Sequence, residues 1–328
     1  MELMDSAVSD FPDLTTLTAG LTGLFCSEGR EGRGVTVLNR QPAPTASTFP
    51  SEIITCQIDG GRELRLYCKY AIGYNHSKLD NRQGLAYEAA VYRHVLQPVQ
   101  ATTPRYHGMH SNAATGETWL VLEYLDESVP LNQMPEPAAL VSHAARWIAR
   151  FHAVNEDRLA DSHTRFLVRY DGVYYRGWSR RTLLFAGDLR SRYPWLETVC
   201  QKYEELVDLL VAQPVTIIHG EFDSDNLLWR DGVLYPVDWE SAAVAAGEMD
   251  VARLTWGWPA GTAQGCELEY RRHRWPASPP SDFARTLTAA RLYLPFRFLG
   301  EQPEWTVQDT SAELFEELRT MSEQLELI

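Results

Sequence analysis

The feature that most constrains this chain is the segment 215–240, VTIIHGEFDSDNLLWRDGVLYPVDWE, where acidic residues lie between strongly apolar runs. The run VTII predicts a buried strand, and NLLW and VLYPV predict two more strands on either side of a turn at Asp231-Gly232. Polar stretches that begin at His219 and at Asp238 therefore fall at strand ends. We expect these two stretches to lie near one another.

Three residues of this segment form the candidate catalytic group: Glu221, Asn226 and Asp238. A carboxylate and an amide oxygen are ligands that a hard cation such as Mg²⁺ prefers. A second carboxylate can orient and deprotonate an attacking hydroxyl group. The other acids of the segment are interpreted as ordinary loop residues: Asp223, Asp225 and Asp231.

The N-terminal part of the chain predicts a small antiparallel sheet. Strand-like runs occupy 35–40, 52–58, 63–71 and 118–125, and the sequence DGG at 59–61 predicts a hairpin between the second and the third. An amphipathic helix is expected near the start of the chain, from Leu14 to Leu24, and a second one at 85–97.

One basic and one acidic residue of this part are predicted to pair. In the strand ELRLYCKYA, Lys69 lies on the face opposite Leu66, Cys68 and Tyr70. On the helix 85–97, Glu88 shares a face with apolar residues, where a carboxylate is costly to bury unless a cation meets it. A strand lysine held by a helix glutamate is how one class of phosphotransferases directs an ammonium group at nucleotide phosphates.

The polar, proline-containing stretch 126–137 is the predicted boundary between two parts. Residues 1–125 form the predicted sheet-rich N-lobe, and residues 126–328 form a larger, mainly helical C-lobe. The fold class that we expect is therefore α+β and bilobal. His152 and His219 are interpreted as packed or bracing residues rather than as proton carriers.

The sequence resembles the aminoglycoside phosphotransferase/choline kinase family, whose architecture is similar to that of protein kinases. The family's catalytic loop reads His-Gly-Asp, four residues, then Asn, and residues 219–226 match it except at Glu221. Its Ile-Asp-Trp-Glu motif is matched by VDWE at 237–240. The later run with Gly247 and Asp250 also resembles a family motif, and LVLEYL resembles the strand that leads to the hinge.

The resemblance implies a role for each candidate residue and implies ATP and Mg²⁺ as cofactors. Glu221 would be the base or the hydroxyl aligner, and Asn226 and Asp238 would bind the metal. Lys69 would contact the α- and β-phosphates, with Glu88 as its anchor. The backbone from Glu123 to Leu125 would hydrogen-bond adenine at the hinge.

The sequence departs from the family pattern in three places. Glu221 replaces the usual Asp, and its longer side chain can serve if its backbone lies slightly further back. The loop APTASTFPS has no glycine-rich pattern, so Ser47 and Thr48 are expected to offer hydroxyl and amide donors to phosphate instead. The basic, aromatic segment 173–198 is interpreted as a lid, a substrate wall or an oligomer contact.

Composition excludes several classes of function. The net charge of −14 argues against a general binder of nucleic acid or of anionic membranes. Five dispersed cysteines without a CxxC pair argue against a disulfide framework or a zinc site and fit the cytoplasm. No segment predicts a signal peptide or a membrane-spanning helix.

The sequence therefore predicts an ATP-dependent O-phosphotransferase whose partner is a small-molecule hydroxyl acceptor, such as an amino sugar, an amino alcohol or a natural product. The alternatives are the same transfer to Ser or Thr of a peptide or protein, and a non-catalytic nucleotide-binding pseudokinase. The first alternative lacks a recognisable activation segment, and the second is favoured by Glu221. Whether the protein is a monomer or a homodimer stays open.

Overall fold

The computed structural model describes residues 11–26, 34–44, 49–61, 63–71, 83–112, 115–212 and 214–328. The chain divides into two units, Met1–Ser128 and Val129–Ile328. No helix within the described ranges is long and apolar enough to cross a membrane.

The first unit is built on a five-stranded antiparallel sheet with the strand order β1-β2-β3-β5-β4. Its strands are β1 Val35–Pro42, β2 Ser51–Ile58, β3 Glu63–Ala71, β4 Tyr106–Asn112 and β5 Glu117–Glu123. The β2–β3 hairpin turns through Asp59 and Gly60, both at positive φ (52° and 64°), as the DGG sequence predicts. The strand β4 was not predicted.

Helix α1 (Leu14–Cys26) covers one face of this sheet. Leu17, Leu21 and Leu24 pack there against residues of β3 and β5, including Tyr70 and Trp119. Gly20 permits the close approach, because a Cβ atom at this position would lie 2.3 Å from the Trp119 ring. Lys69 is on the opposite face of β3. Its ammonium group therefore lies on the side of the strand that α1 does not cover.

Helix α2 (Leu85–Val91) continues into a π-helical turn, Tyr92–Leu96. Together they account for the helix that we expect at 85–97. The described apolar residues of this stretch that face inward include Leu85, Val91 and Val95. Glu88 is on the same buried side, as the 3.6-residue periodicity predicts.

The second unit is mainly helical. Its helices are α3 Pro137–Glu156, α4 Gly172–Ala186, α5 Leu196–Ala212, α6 Glu248–Thr255, α7 Ala260–Arg274, α8 Phe283–Leu299, α9 Pro303–Thr306 and α10 Ala312–Gln324. Its short strands are β6 Val129–Pro130, β7 Val168–Arg169, β8 Val215–Ile218, β9 Leu227–Arg230, β10 Val233–Pro236 and β11 Ala243–Ala246. They form two three-stranded sheets, β10-β9-β6 and β7-β11-β8.

The basic, aromatic segment 173–198 forms α4 and the connection to α5. Two of its arginines pair with acids of α5: Arg176 with Asp208 at 2.5 Å and Arg180 with Glu204 at 3.1 Å. On the other side of α4, the Tyr174 hydroxyl lies 2.7 Å from that of Tyr293 in α8. Many polar and aromatic groups of this segment thus hold helices of the second unit together.

Candidate active site

Two loops of the second unit are fixed side by side by the strands that flank them. The first loop, residues 219–226, connects β8 to β9, and the second, residues 237–242, connects β10 to β11. At one end Ile218 is paired with Ala243, and at the other end Leu227 is paired with Pro236. Because both pairs are antiparallel neighbours, the start of each loop lies beside the end of the other. This is the meeting of the two polar stretches that the sequence predicts.

His219 braces the two loops. Its Nδ1 accepts a hydrogen bond from the backbone N–H of Glu221 at 3.3 Å, so the ring proton is on Nε2, which donates to the carbonyl of Val237 at 2.9 Å. The ring also packs against Trp239, with centroids 4.4 Å apart. Both ring nitrogens are used in structure, which agrees with the interpretation of this histidine as a brace.

Gly220 is required where the first loop touches the second. Its φ of 87° lies in the region that side chains rarely adopt. A Cβ atom there would also lie 2.2 Å from the carbonyl oxygen of Ser241. Any larger residue would push the two loops apart.

Asp250, in α6, anchors the start of the first loop. Its carboxylate accepts hydrogen bonds from the backbone N–H groups of His219 at 2.7 Å and of Gly220 at 2.9 Å. It also lies 3.0 Å from Nε2 of the fully buried His152. Asp250, the last residue of the Gly247–Asp250 motif, thus has a structural role.

A series of hydrogen-bonded side chains continues from Asp250. His152 Nδ1 lies 2.9 Å from the Tyr270 hydroxyl, and Arg274 donates to the same hydroxyl and forms an ion pair with Glu156 at 2.6 Å. Burial lowers the pKa of His152, against the opposing effect of Asp250, so the imidazole is held neutral. A neutral ring donates from Nε2 to Asp250 and accepts at Nδ1 from Tyr270, which satisfies every group in the series.

Asn226 is held with its amide oxygen available for a ligand. Its Nδ2 donates to the carbonyl of Glu221 at 3.0 Å, which fixes the orientation of the amide group. Its own carbonyl accepts from the N–H of Val237 at 2.9 Å, one residue before Asp238. The structure thus brings Glu221, Asn226 and Asp238 together on the two adjacent loops.

Asp238 has a left-handed backbone, with φ 66° and ψ 65°, and precedes the short 3₁₀ helix Trp239–Ser241. An amide oxygen from Asn226 and a carboxylate from Asp238 are the hard oxygen ligands that fit Mg²⁺. Among the described residues no group of three or more His, Cys, Asp or Glu side chains forms a metal cage. Mg²⁺ in phosphotransferases is commonly bound by one or two protein ligands together with phosphate oxygens and water, which a two-residue site of this kind permits.

Glu221 is buried and makes an ion pair that the sequence analysis missed. Its Oε1 accepts from Nη2 of Arg297, in the last turn of α8, at 2.6 Å. Nη1 of the same arginine lies 3.7 Å from Glu301. Burial alone would lower the pKa of Arg297, but the facing carboxylates, chiefly Glu221, raise it above its ordinary value. No motif in residues 255–328 pointed to this arginine.

Asp223 has a more specific role than that of an ordinary loop acid, which corrects the interpretation above. Its Oδ1 accepts from the backbone N–H groups of Asp225 at 3.1 Å and of Asn226 at 3.2 Å, which forms the turn of the first loop. Its Oδ2 accepts from Arg253 of α6 at 2.6 Å. Asp223 therefore shapes the loop that presents Asn226. Asp225 in turn accepts from the side chain of Asn132.

In the first unit, Lys69 and Glu88 form a buried ion pair. Nζ of Lys69 lies 2.9 Å from Oε2 and 3.2 Å from Oε1 of Glu88. The two side chains are 6% and 0% exposed, so water hardly screens the pair. The ammonium group is therefore held in a defined place by both carboxylate oxygens.

The predicted hinge, Glu123 to Leu125, begins at the last residue of β5. The N–H of Tyr124 donates to Arg65 of β3 at 3.0 Å, whereas the N–H of Glu123 donates in the other direction, to Arg105, at 2.8 Å. The Leu125 carbonyl accepts from the backbone N–H and from the hydroxyl of Ser128. Ser47 and Thr48 lie outside the described residues.

Comparison with known proteins gives one match to a family and many to solved structures. Residues 74–280 match the sequence model of the phosphotransferase enzyme family. No curated protein sequence matches the chain at a significant level.

Three solved structures illustrate the likeness. Choline kinase LicA from Streptococcus pneumoniae has a TM-score of 0.60 at 12% identity, over 90% of this chain and 95% of that chain. LicA in complex with AMP has a TM-score of 0.58 at 10% identity, over 93% and 97%. A thermostable mutant of aminoglycoside phosphotransferase APH(4)-Ia in the apo form has a TM-score of 0.58 at 14% identity, over 92% and 98%. Identities this low show the fold, and they confirm the expected protein-kinase-like α+β class.

Proposed function

The chain belongs to the phosphotransferase enzyme family, and on that premise we propose that it transfers the γ-phosphoryl group of ATP to a hydroxyl group of a small molecule. An amino sugar, an amino alcohol or a natural product is the class of acceptor that we favour. Solved relatives with this fold include a choline kinase and an aminoglycoside phosphotransferase, which supports a small acceptor. The AMP complex of LicA supports an adenine nucleotide as donor.

The observation that carries this proposal is the placement of Glu221, Asn226 and Asp238 on two loops that are locked to each other. Phosphoryl transfer depends on positioning and on charge stabilisation more than on covalent chemistry. A rigid carboxylate beside two hard oxygen ligands meets both requirements. The His219 hydrogen bond to Val237 joins the two loops, and the Asp250 bonds anchor the first loop to α6.

In the proposed reaction the acceptor oxygen forms a bond to the γ-phosphorus as the bond to the β–γ bridging oxygen breaks, and ADP leaves. Glu221 aligns the acceptor hydroxyl and accepts its proton. Mg²⁺ bound to Asn226 and Asp238 would neutralise charge on the phosphate oxygens. In the first unit, Lys69 contacts the α- and β-phosphates and is aimed by Glu88, while the backbone of Glu123 and Leu125 binds adenine.

One specific observation favours a second candidate, a nucleotide-binding protein without transferase activity. Glu221 stands where the family has Asp, and its carboxylate is already paired with Arg297. Against this candidate stand the ordered amide of Asn226 and the buried pair of Lys69 and Glu88. A chain without phosphoryl transfer has no chemical need for the full set.

The test is a survey of acceptors under steady-state conditions. ADP release would be measured with Mg·ATP and Mg·GTP in the presence of amino sugars, amino alcohols, other polyols and Ser/Thr peptides. We expect acceptor-dependent ADP release with at least one small hydroxyl compound. Acceptor-dependent release with peptides alone would support protein phosphorylation, and nucleotide binding without any release would support the second candidate.

A further inference from the structure

Arg297 is the cationic partner of the proposed base. Its Nη2 lies 2.6 Å from Oε1 of Glu221, and its Nη1 lies 3.7 Å from Oε2 of Glu301. The side chains of Glu221, Arg297 and Glu301 are 9%, 8% and 7% exposed. One guanidinium group thus lies between two buried carboxylates, and no family motif identified above includes it.

The position of Arg297 is itself well defined. It is in the last turn of α8, where the helix dipole favours a cation. Its guanidinium also lies over the ring of Phe298, 5.1 Å from the centroid. A planar guanidinium keeps its hydrogen-bond donors in a fixed fork, so a carboxylate bound to it loses rotational freedom.

We propose that Arg297 is the positioning residue that makes Glu221 a usable base. The inference rests on the proposed function and extends it. A Glu side chain has one more rotatable bond than Asp and would sample several carboxylate positions. Asn226 fixes the backbone of residue 221 through its carbonyl, and Arg297 fixes the carboxylate. Both ends of the longer side chain are then held.

The ion pair depends on the extra methylene group of Glu221. Shortening the side chain to Asp withdraws the carboxylate by about 1.5 Å, one C–C bond length. The contact of 2.6 Å would then stretch beyond hydrogen-bond distance. Arg297 should therefore matter when residue 221 is Glu and should matter much less when it is Asp.

The experiment measures ATP turnover with the best acceptor from the survey, or release of inorganic phosphate from Mg·ATP, in four variants. These are Arg297→Met, Arg297→Lys, Glu221→Asp and the double variant Glu221→Asp/Arg297→Met. We expect Arg297→Met to lower kcat on the order of tenfold to a hundredfold, the effect of a misplaced catalytic group, with the Kd for ATP unchanged. Arg297→Lys should retain an intermediate kcat. In the Glu221→Asp background, Arg297→Met should have little further effect.

Arg291→Met is the matched control, because Arg291 is on the same helix and pairs with Glu267 at 2.6 Å rather than with Glu221. This control should leave kcat within about twofold of the parent, as expected for a partly exposed pair. Circular dichroism would confirm that each variant is folded. If Arg297→Met unfolds the chain, the kcat of Arg297→Lys and the crystal structure of that variant still decide the question.

Crystal structures of Arg297→Lys and Arg291→Met make the test independent of activity. We expect the Glu221 carboxylate to move or to occupy several rotamers in the first variant and to stay in place in the second. An unmoved carboxylate together with unchanged kcat would overturn the positioning role. If the parent has no turnover at all, the proposed function fails, and the position of the carboxylate alone decides the role of Arg297.

Discussion

At the residue scale, what matters is which atoms of each side chain are already engaged. The Asn226 amide nitrogen is bound to the Glu221 carbonyl, so its oxygen is the atom presented to a ligand. The His219 ring nitrogens are both bound, so this ring is interpreted as a brace of the loops rather than as a group that transfers protons. The division into chemical and structural roles thus follows from hydrogen bonds rather than from residue type.

Asp238→Asn tests the metal ligand with the smallest change of shape. Asn tolerates the left-handed backbone at this position, so the fold should be retained, but a neutral ligand binds Mg²⁺ beside the triphosphate less well. We expect turnover to fall roughly a hundredfold or more, the scale for losing one electrostatic contact to the transition state. Asp231→Asn is the control, since Asp231 also has positive φ and its side chain is 91% exposed. Equal activity of both variants would contradict the assignment.

Glu88→Gln tests the pairing with Lys69. Gln can still accept a hydrogen bond. The free energy of unfolding should therefore fall by less than the ~3–5 kcal/mol that removal of one partner of a buried pair costs. We expect KM for ATP to rise several-fold because the ammonium group is no longer held in place. The measurement is a double-mutant cycle with Lys69→Met, with Glu63→Gln on the exposed start of β3 as control. Additive losses in kcat/KM would show that the two residues act independently.

The sequence predicted contacts between nearby residues better than contacts between distant ones. Glu221, Asn226 and Asp238 lie within one short segment whose strand and turn signals are strong. Arg297 is 76 residues from Glu221 and carries no pattern of its own on α8. Only the packing of α8 against the catalytic loop reveals the contact, and no spacing rule encodes that packing.

At the element scale, the site depends on two pairs of short strands that flank both loops. Strands β8 and β11 hold one end of both loops, and β9 and β10 hold the other. Each strand has four residues, so few hydrogen bonds define each pairing. Contacts between the loops, such as that of Gly220 with Ser241, must therefore contribute to the alignment.

Gly220→Ala tests this contact. Positive φ costs a non-glycine residue roughly 1–2 kcal/mol, and at Gly220 the overlap of Cβ with the Ser241 carbonyl adds to that cost. We expect Gly220→Ala to lower both the free energy of unfolding and the turnover. Gly232→Ala is the matched control, because Gly232 has φ 80° and nothing lies within 4 Å of its Cβ position. Equal urea midpoints for the two variants would mean that the contact contributes nothing.

The hydrogen-bonded side chains that connect α3, α6 and α7 around His152 predict a pH dependence of stability. Burial lowers the pKa of His152. Below the ordinary His pKa of about 6.5, the unfolded chain takes up a proton that the folded chain does not. The free energy of unfolding therefore falls as the pH is lowered. His152→Gln removes this contribution. We expect the stability difference between parent and variant to shrink from pH 7 to pH 5 in urea titrations, and parallel curves would contradict the neutral, buried imidazole.

Element boundaries were predictable where periodicity or turn chemistry is clear. The hairpins at 59–61 and 231–232 and the strand 63–71 have such signals. The strand β4 (YHGMHSN) has little apolar alternation and a bulge near Gly108, so its pairing with β5 is set by the sheet and not by its own sequence. The turn of Asp223 likewise required the partner Arg253, which lies on another element.

At the scale of the whole molecule, the proposed roles divide between the two units. The residues proposed for nucleotide binding, Lys69, Glu88, Glu123 and Leu125, are in the first unit, and the residues proposed for metal binding and proton transfer are in the second. The match over residues 74–280 includes residues of both units. We therefore expect catalysis to require side chains from each unit, which variants in both units test separately.

We propose above that Glu221 works as the base of an active phosphotransferase, and one variant of this residue tests that role directly. Glu221→Gln is the sharpest variant, because Gln has nearly the same shape and keeps an oxygen for Arg297, while it loses the negative charge and the ability to take a proton. The measurement is ³¹P NMR of γ-phosphoryl transfer from Mg·ATP to the best acceptor of the survey, with the Kd for ATP determined in parallel. We predict a new phosphomonoester signal with the parent and a rate lower by roughly two orders of magnitude or more in Glu221→Gln, at unchanged Kd. Equal rates for the two proteins, or a parent that binds ATP and transfers nothing, would contradict the claim.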